Sequence, residues 1–351
     1  MINKSSSRVF YFDFLRSISC LAVILIHASA FFVNGATNIS FHFSNFIDSL
    51  SRFSVPVFIM ISGALMLDEN YNYSHEKLIS HIKRLISVFL FWSVTYALLF
   101  EVALPILENE TIVVSNMIYS IFKGYYHLWF IPMIIGIYLL VPLLRLWVKR
   151  ENERYVKYFL ILFILFSAVP KLLAFLCEHL APEQYTKITN ITDNLLITHT
   201  VGYVGYFVLG WYLHQFVTNV KSIMIAGLFG FAATFGATWF LSAHTGQTVT
   251  LYDNLFLNIV LYSVMIFVLA KKYAMKSPSP MLQKIIAFLS KYSLGIYTTH
   301  VAFLNLDLFL FEKLNISNAF ICIPFFFVSA FIGSVLICFI IRKIPILNKM
   351  I

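Results

Sequence analysis

The sequence predicts an all-α, polytopic integral membrane protein with about ten transmembrane helices and both termini in the cytoplasm. Three observations carry this. The chain is 60% hydrophobic, with a mean hydropathy of +0.83, and only 12% charged, about half the share found in a soluble protein. Its apolar residues come in blocks of about twenty, the length of helix that crosses a hydrocarbon core about 30 Å thick. Its lysines and arginines are concentrated in alternate connecting segments, as the positive-inside rule requires.

The predicted spans, in order, lie at about 10–33, 45–67, 85–104, 128–148, 158–178, 197–217, 222–242, 254–270, 290–311 and 318–341. The first apolar block is too long for a signal-peptide core and has no small-x-small cleavage site, so it counts as a retained span. Helices are expected throughout because lipid offers no partner to an unpaired backbone group, and the alternating pattern of a barrel is absent.

With the N-terminus inside, the cytoplasmic segments carry Lys4 and Arg8; Lys77, Lys83 and Arg84; Lys149, Arg150, Arg154 and Lys157; Lys221; Lys271, Lys272, Lys276 and Lys284; and Arg342, Lys343 and Lys349. Those seventeen face three outside, Lys123, Lys187 and Lys313. The remaining Arg16, Arg52, Arg145, Lys171 and Lys291 lie in or at the edges of spans.

The longest outside connection runs from Pro105 to Tyr126, and its apolar stretch Thr111–Phe122 is too short to cross, which predicts an interfacial or re-entrant helix. Lys276-Ser-Pro-Ser-Pro280 reads as a cytoplasmic linker. No soluble domain fits between the spans, so residues 1–351 read as one membrane-embedded unit.

Several functions are disfavoured on the same grounds. The net charge of +9 follows from topology, and no basic run with interleaved aromatics lies outside the spans, so no nucleic-acid partner is expected. Cys20, Cys177, Cys322 and Cys338 sit in apolar blocks without CxxC spacing and read as small core residues. Glycines at 202, 205 and 210, and at 227, 230 and 236, suit close helix contact rather than a phosphate cradle.

An ionisable residue inside a span costs a few kcal/mol on insertion scales and is a functional candidate by default. Asp13 and Arg16 lie one turn apart in the first span. His27 follows eleven residues after Arg16, about three turns, which puts it on the same face about 16 Å further out. The ordinary reading of Asp13 and Arg16 is an ion pair, and of His27 a packed core histidine. The functional reading is a titratable base in a pocket that otherwise excludes charge. Asp48 and Arg52 form a similar pair in the second span. Tyr125-Tyr126-His127-Leu128-Trp129 opens the fourth at the outer interface, where an aromatic belt explains all but His127. Ser293, Tyr297 and His300 make a polar stripe on one face of the ninth.

These residues form a recognisable set. Arg16 with His27, Arg52-Phe-Ser-Val-Pro56 leading to Ile61-Ser62-Gly63, His127-Leu-Trp129-Phe, and Ser293-Leu-Gly-Ile-Tyr297-Thr-Thr-His300 together resemble the acyltransferase 3 family of bacterial membrane enzymes. The likeness covers essentially the whole chain and is greatest to the enterobacterial common antigen O-acetyltransferase branch. It implies transfer of an acetyl group from cytosolic acetyl-CoA to a cell-envelope glycan or lipid-linked sugar at the inner membrane, with Arg16 and His27 essential. Where the family often has Arg-x-x-Arg, this chain reads His81-Ile-Lys83-Arg84.

The expected mechanism has Lys83, Arg84 and Arg16 neutralising the donor phosphates, with Asp13 beside Arg16 and His27 as general base. Arg52, His127, Tyr297 and His300 are expected to hold substrates or an oxyanion, with Trp129 stacking on a sugar or serving the belt. No metal is expected. The competing readings are a proton-coupled transporter or flippase, for which no internal repeat is found, and transfer of succinyl rather than acetyl.

Overall fold

The structure, a computed structural model, describes residues 9–33, 38–108, 111–180, 201–217, 219–274, 278–345 and 347–351. Among the described residues it is helical, without a strand. Among the described residues eight helices are long and apolar enough to cross a membrane: Phe10–Ala30, Ile39–Met66, His75–Leu107, Val114–Trp147, Arg150–Leu180, Lys221–Thr245, Pro280–Lys313 and Ala319–Arg342. Two of the ten expected spans fall short of that length, at 13 residues in Val204–Phe216 and 17 in Leu257–Tyr273. Both are deeply packed, and the irregular segment before the second is buried at Val249, Leu251, Tyr252 and Leu255. Non-helical backbone of this kind is tolerated where protein rather than lipid surrounds it. Residues 197–200, the expected start of the sixth span, lie outside the described residues, as do Lys4, Arg8, Lys187 and Lys276.

Sequence explains where the helices begin and break. The first helix, α1 (Phe10–Ala30), is about 31 Å long by its rise and spans the core thickness. The second crossing starts under an Asn38 cap whose side chain accepts the Phe41 amide at 2.9 Å. It divides into α2 (Ile39–Ser51) and α3 (Ser54–Met66) at Arg52 and Phe53. Pro56 explains the division, because it has no N–H to give the Arg52 carbonyl four residues earlier. α4 (His75–Leu98) continues through the π segment Leu99–Ala103 into α5 (Leu104–Glu108), with Pro105 just beyond the π segment. The same device recurs where Ile164–Ala168, also π, precedes Pro170 between α8 (Glu153–Phe163) and α9 (Val169–Leu180).

The short apolar stretch before the fourth crossing forms α6 (Val114–Lys123), a strongly amphipathic helix with no buried residue. Gly124, at φ 74°, turns the chain into a 3-10 turn, Tyr126–Trp129, and then α7 (Phe130–Trp147). α10 (Val204–Phe216), α11 (Lys221–Thr245), α12 (Leu257–Tyr273), α13 (Pro280–Lys313) and α14 (Ala319–Arg342) follow. Ser279 caps α13 and Pro280 opens it, where a missing N–H costs nothing.

The first helix is central, packing against α13, α3, α2 and α14. Two of the expected contact glycines hold helices together at backbone distance. A Cβ on Gly210 would fall 2.0 Å from the Met60 carbonyl oxygen, and one on Gly230 2.4 Å from that of Asn258. Gly205 and Gly227 abut the side chains of Phe163 and Met265, whereas Gly202 and Gly236 face open space. The closest approach of all is Gly63, which the spacing did not single out: its Cβ would fall 1.7 Å from the Phe207 carbonyl oxygen. Cys20, Cys322 and Cys338 are buried and all four cysteines are free.

Candidate active site

Three histidines from distant parts of the chain meet at one end of α1. His27 comes from its last turn, His127 from the 3-10 turn before α7, and His300 from the middle of α13. Their ring centroids are 5.2 Å apart for His27 and His300, 5.5 Å for His127 and His300, and 6.4 Å for His27 and His127. His127 and His300 are fully buried, and His27 is half-buried.

The hydrogen bonding differs among them. His300 Nδ1 lies 2.7 Å from the Tyr297 carbonyl and 3.2 Å from that of Ile296. A carbonyl can only accept, so Nδ1 carries the proton and Nε2 keeps its lone pair. That Nε2 is buried without a hydrogen-bond partner among the described residues. Neither ring nitrogen of His127 has a hydrogen bond of good geometry there, although the Thr298 backbone approaches it. Buried polar atoms are nearly always satisfied, so three orphan imidazole nitrogens in one cluster mark a place for a ligand. His127 itself is held by its backbone, whose carbonyl accepts the Tyr297 hydroxyl hydrogen bond. Tyr96 donates to the Thr298 carbonyl at 2.9 Å and turns the edge of its aromatic system to His127.

Arg52 sits on the other flank, near enough for its charge to act on His27. It is paired with the fully buried Asp48, which also accepts the Ser29 hydroxyl at 3.2 Å, and lies 4.3 Å over the Tyr252 ring. Asp48 and Arg52 are thus the ion pair of the ordinary reading, placed at the rim of the histidine cluster.

Arg16 lies at the opposite end of α1. Its Nη1 is 3.5 Å from Asp13 and 3.1 Å from the Ser290 hydroxyl, which in turn donates to Asp13 at 2.6 Å. The pair therefore joins α1 to α13 as well as satisfying itself. Between Arg16 and the histidines runs a cavity of about 400 Å³ lined by Arg16, Ser62, Arg84, Tyr138, Ser293 and Tyr297 with apolar walls that include Val23, Phe58 and Ile134. Tyr297 connects it to the cluster, since it lines the cavity and its ring is 5.7 Å from that of His127. Lys83 and Arg84 are exposed at the Arg16 end.

Of the sequence-derived candidates, His27, His127, His300, Tyr297 and Arg52 therefore come together, and Arg16, Asp13, Lys83 and Arg84 gather at the other end. Trp129 stays apart from the histidines, exposed at the surface against Tyr203. Among the described residues no group of three His, Cys, Asp or Glu side chains is placed to hold a metal ion.

The family model of an acyltransferase domain, acyltransferase 3, matches residues 9–343. The chain belongs to the acyltransferase 3 family. It is therefore an acyltransferase, and its apolar helices make it a multi-pass membrane enzyme. No curated protein and no solved structure matches it.

Sequence reading passed over Tyr126, whose ring is 5.3 Å from that of His27, because an aromatic belt accounts for a tyrosine at an interface. It also missed Tyr138, which lines the cavity and reaches the Ser62 hydroxyl at 3.4 Å. A signal existed for the latter: Tyr138 follows His127 by eleven residues, the spacing that relates Arg16 to His27.

Proposed function

We propose that this acyltransferase moves an acetyl group from cytosolic acetyl-CoA to a hydroxyl of a cell-envelope glycan or lipid-linked sugar. It does so as a bacterial inner-membrane enzyme of ten crossings, with both termini cytoplasmic and residues 1–351 acting as one unit. The observation that carries the reading is the alignment of three things along α1: cations at one end, a part-apolar cavity in the middle and the histidine cluster at the other. A donor with an anionic head, a flexible arm and a reactive thioester fits that order. The enterobacterial common antigen branch, which the motifs resemble most, makes its acceptor the first to try.

In the proposed step His27 takes the proton of the acceptor hydroxyl, whose oxygen attacks the thioester carbonyl. The C–S bond of the resulting tetrahedral species breaks, the acyl group stays on the acceptor oxygen, and the CoA thiolate leaves with the proton from His27. A neutral His127 has one N–H and no good partner for it, so it is suited to donate to the oxyanion. His300, its Nδ1–H committed to backbone, offers only an acceptor, which suits orienting the hydroxyl or the His27 N–H. Arg52 supplies positive potential at the same rim. Lys83, Arg84 and Arg16 attract the donor phosphates.

The test is release of free CoA by purified protein in lipid, given acetyl-CoA and a lipid-linked glycan fraction, for wild type beside His27→Ala. Acceptor-dependent release that falls by about 100-fold or more in the variant supports the reading. Release that ignores either the acceptor or the substitution, in a folded variant, defeats it and favours a carrier. Succinyl-CoA in place of acetyl-CoA tests the identity of the acyl group.

A further inference from the structure

At the Arg16 end of the bundle a second cavity, of about 720 Å³, opens beside the first, and Arg84 lines both. Besides Lys83 and Arg84, three more cations face it: Lys291 near the start of α13, Arg342 at the end of α14, and Lys349 in the segment beyond. No Asp or Glu side chain lines it, and the one acidic group there is the terminal carboxyl of Ile351, against five cations. Among the described residues none of the five is ion-paired with a carboxylate side chain. Like charges gathered in one cavity repel one another, and a bound polyanion removes that repulsion.

Three of the five cations also have fixed contacts. Arg84 donates to the Lys349 carbonyl at 3.3 Å and to the terminal carboxyl group of Ile351 at 2.7 Å. Arg342 donates to the Tyr292 hydroxyl at 2.7 Å and lies 4.9 Å over its ring, while Lys291 Nζ is 5.9 Å from the same ring. A guanidinium fixed in this way loses little freedom when it binds phosphate.

The order of the two cavities assigns the parts of the donor. From thioester outward, CoA carries its pantetheine arm, a pyrophosphate and then a ribose phosphate. The arm suits the inner cavity, and the pyrophosphate falls at the junction formed by Arg84. We infer that Lys291, Arg342 and Lys349 bind the ribose phosphate of CoA, so that the outer cavity selects a phosphorylated nucleotide carrier rather than any thioester. This rests on the donor reading above and extends it to residues from the far end of the chain. A phosphate on an anionic lipid headgroup has the same chemistry, so the experiment separates the two.

The experiment measures equilibrium binding of CoA and of dephospho-CoA, which lacks only that phosphate, to the full chain in nanodiscs of zwitterionic lipid. The wild type is compared with K291Q, R342Q, R342K and K349Q. Wild type is expected to prefer CoA by about tenfold. Each Gln variant loses that preference by weakening CoA binding and leaving dephospho-CoA unchanged, and R342K retains part of it. Lys291 and Lys349 are exposed, so their variants keep the fold, and thermal unfolding checks R342Q. Equal wild-type affinity for the two ligands overturns the inference but leaves the donor reading standing. No binding of either ligand to wild type removes the donor reading and the inference with it. Loss of co-purified phosphatidylglycerol from the variants, with CoA binding unchanged, also overturns it and makes the cavity a lipid site.

Discussion

The three histidines enter the cluster with different hydrogen-bonding capacity left, and this sets what each can do. His300 has committed its N–H to backbone, neither nitrogen of His127 has a well-formed hydrogen bond among the described residues, and His127 is anchored through its carbonyl. Tyr297 is the anchor, and in the proposed mechanism it acts through His127. Tyr297→Phe is therefore expected to lower kcat by about tenfold while leaving the KM for the donor nearly unchanged. Equal changes in both constants would point instead to a role of the Tyr297 hydroxyl in the cavity. Asp48 is a second residue of this kind. It is fully buried and holds both Arg52 and Ser29, so Asp48→Asn leaves Arg52 without its counter-charge at the rim. Breaking a buried pair from one side costs about 3 kcal/mol, and a lower unfolding midpoint in detergent checks it. An unshifted midpoint would mean that water already reaches the pair.

At the scale of elements, the closest approach at a glycine is the crossing of α3 and α10, where Gly63 meets the Phe207 carbonyl and Gly210 meets that of Met60. The contact is reciprocal, so the two helices cannot separate at one point without losing the other. Gly210→Leu is expected to destabilise by about 3 kcal/mol or more, because backbone on the far side cannot yield as a side chain would. Gly236→Ala, which faces open space, is the matched control and should leave the unfolding midpoint unchanged or slightly raised. Composition and block length made the helices legible, since only helices and closed barrels satisfy backbone groups in lipid and the alternation of a barrel is absent. The glycine spacing was legible in part: Gly210 and Gly230 meet backbone while Gly236 meets nothing, because spacing gives a face but not what opposes it. The candidate site behaves likewise. Arg16, His27 and the Tyr297 to His300 stripe could be read from helical periodicity, which relates residues within one helix. That His127 joins them, and that Lys291, Arg342 and Lys349 share a cavity with Lys83, depends on contacts between helices far apart in sequence. A single sequence holds no periodicity that relates them.

For the molecule as a whole, the decisive arrangement is that the cationic cluster and the histidine cluster lie at opposite ends of α1. Arg16, Lys83, Arg84, Lys291, Arg342 and Lys349 cluster at one end, around the two cavities. Arg145, bonded to the Met66 and Asp68 carbonyls, and Lys271, bonded to the Leu213 and His214 carbonyls, lie at helix ends on that same side of the alternating crossings. The excess of Lys and Arg predicted for cytoplasmic segments therefore coincides with the end around which the two cavities lie, the end proposed to take the phosphorylated donor. The histidine cluster, by contrast, lies near the C-terminal end of α1 and the start of α7, next to exposed Tyr126. If the cationic end is cytoplasmic, a single catalytic centre takes its donor from one side and its acceptor from the other without any large rotation of the bundle. Exposed Glu151 and Gln247 lie at opposite ends of the crossings, so cysteines placed there report the orientation. In a Cys177→Ser background, Gln247→Cys should react with an impermeant maleimide added to intact cells, and Glu151→Cys only after the inner membrane is opened. The reverse pattern would put the phosphate-binding cavities outside, where cytosolic acetyl-CoA cannot reach them, and would refute the donor route along α1.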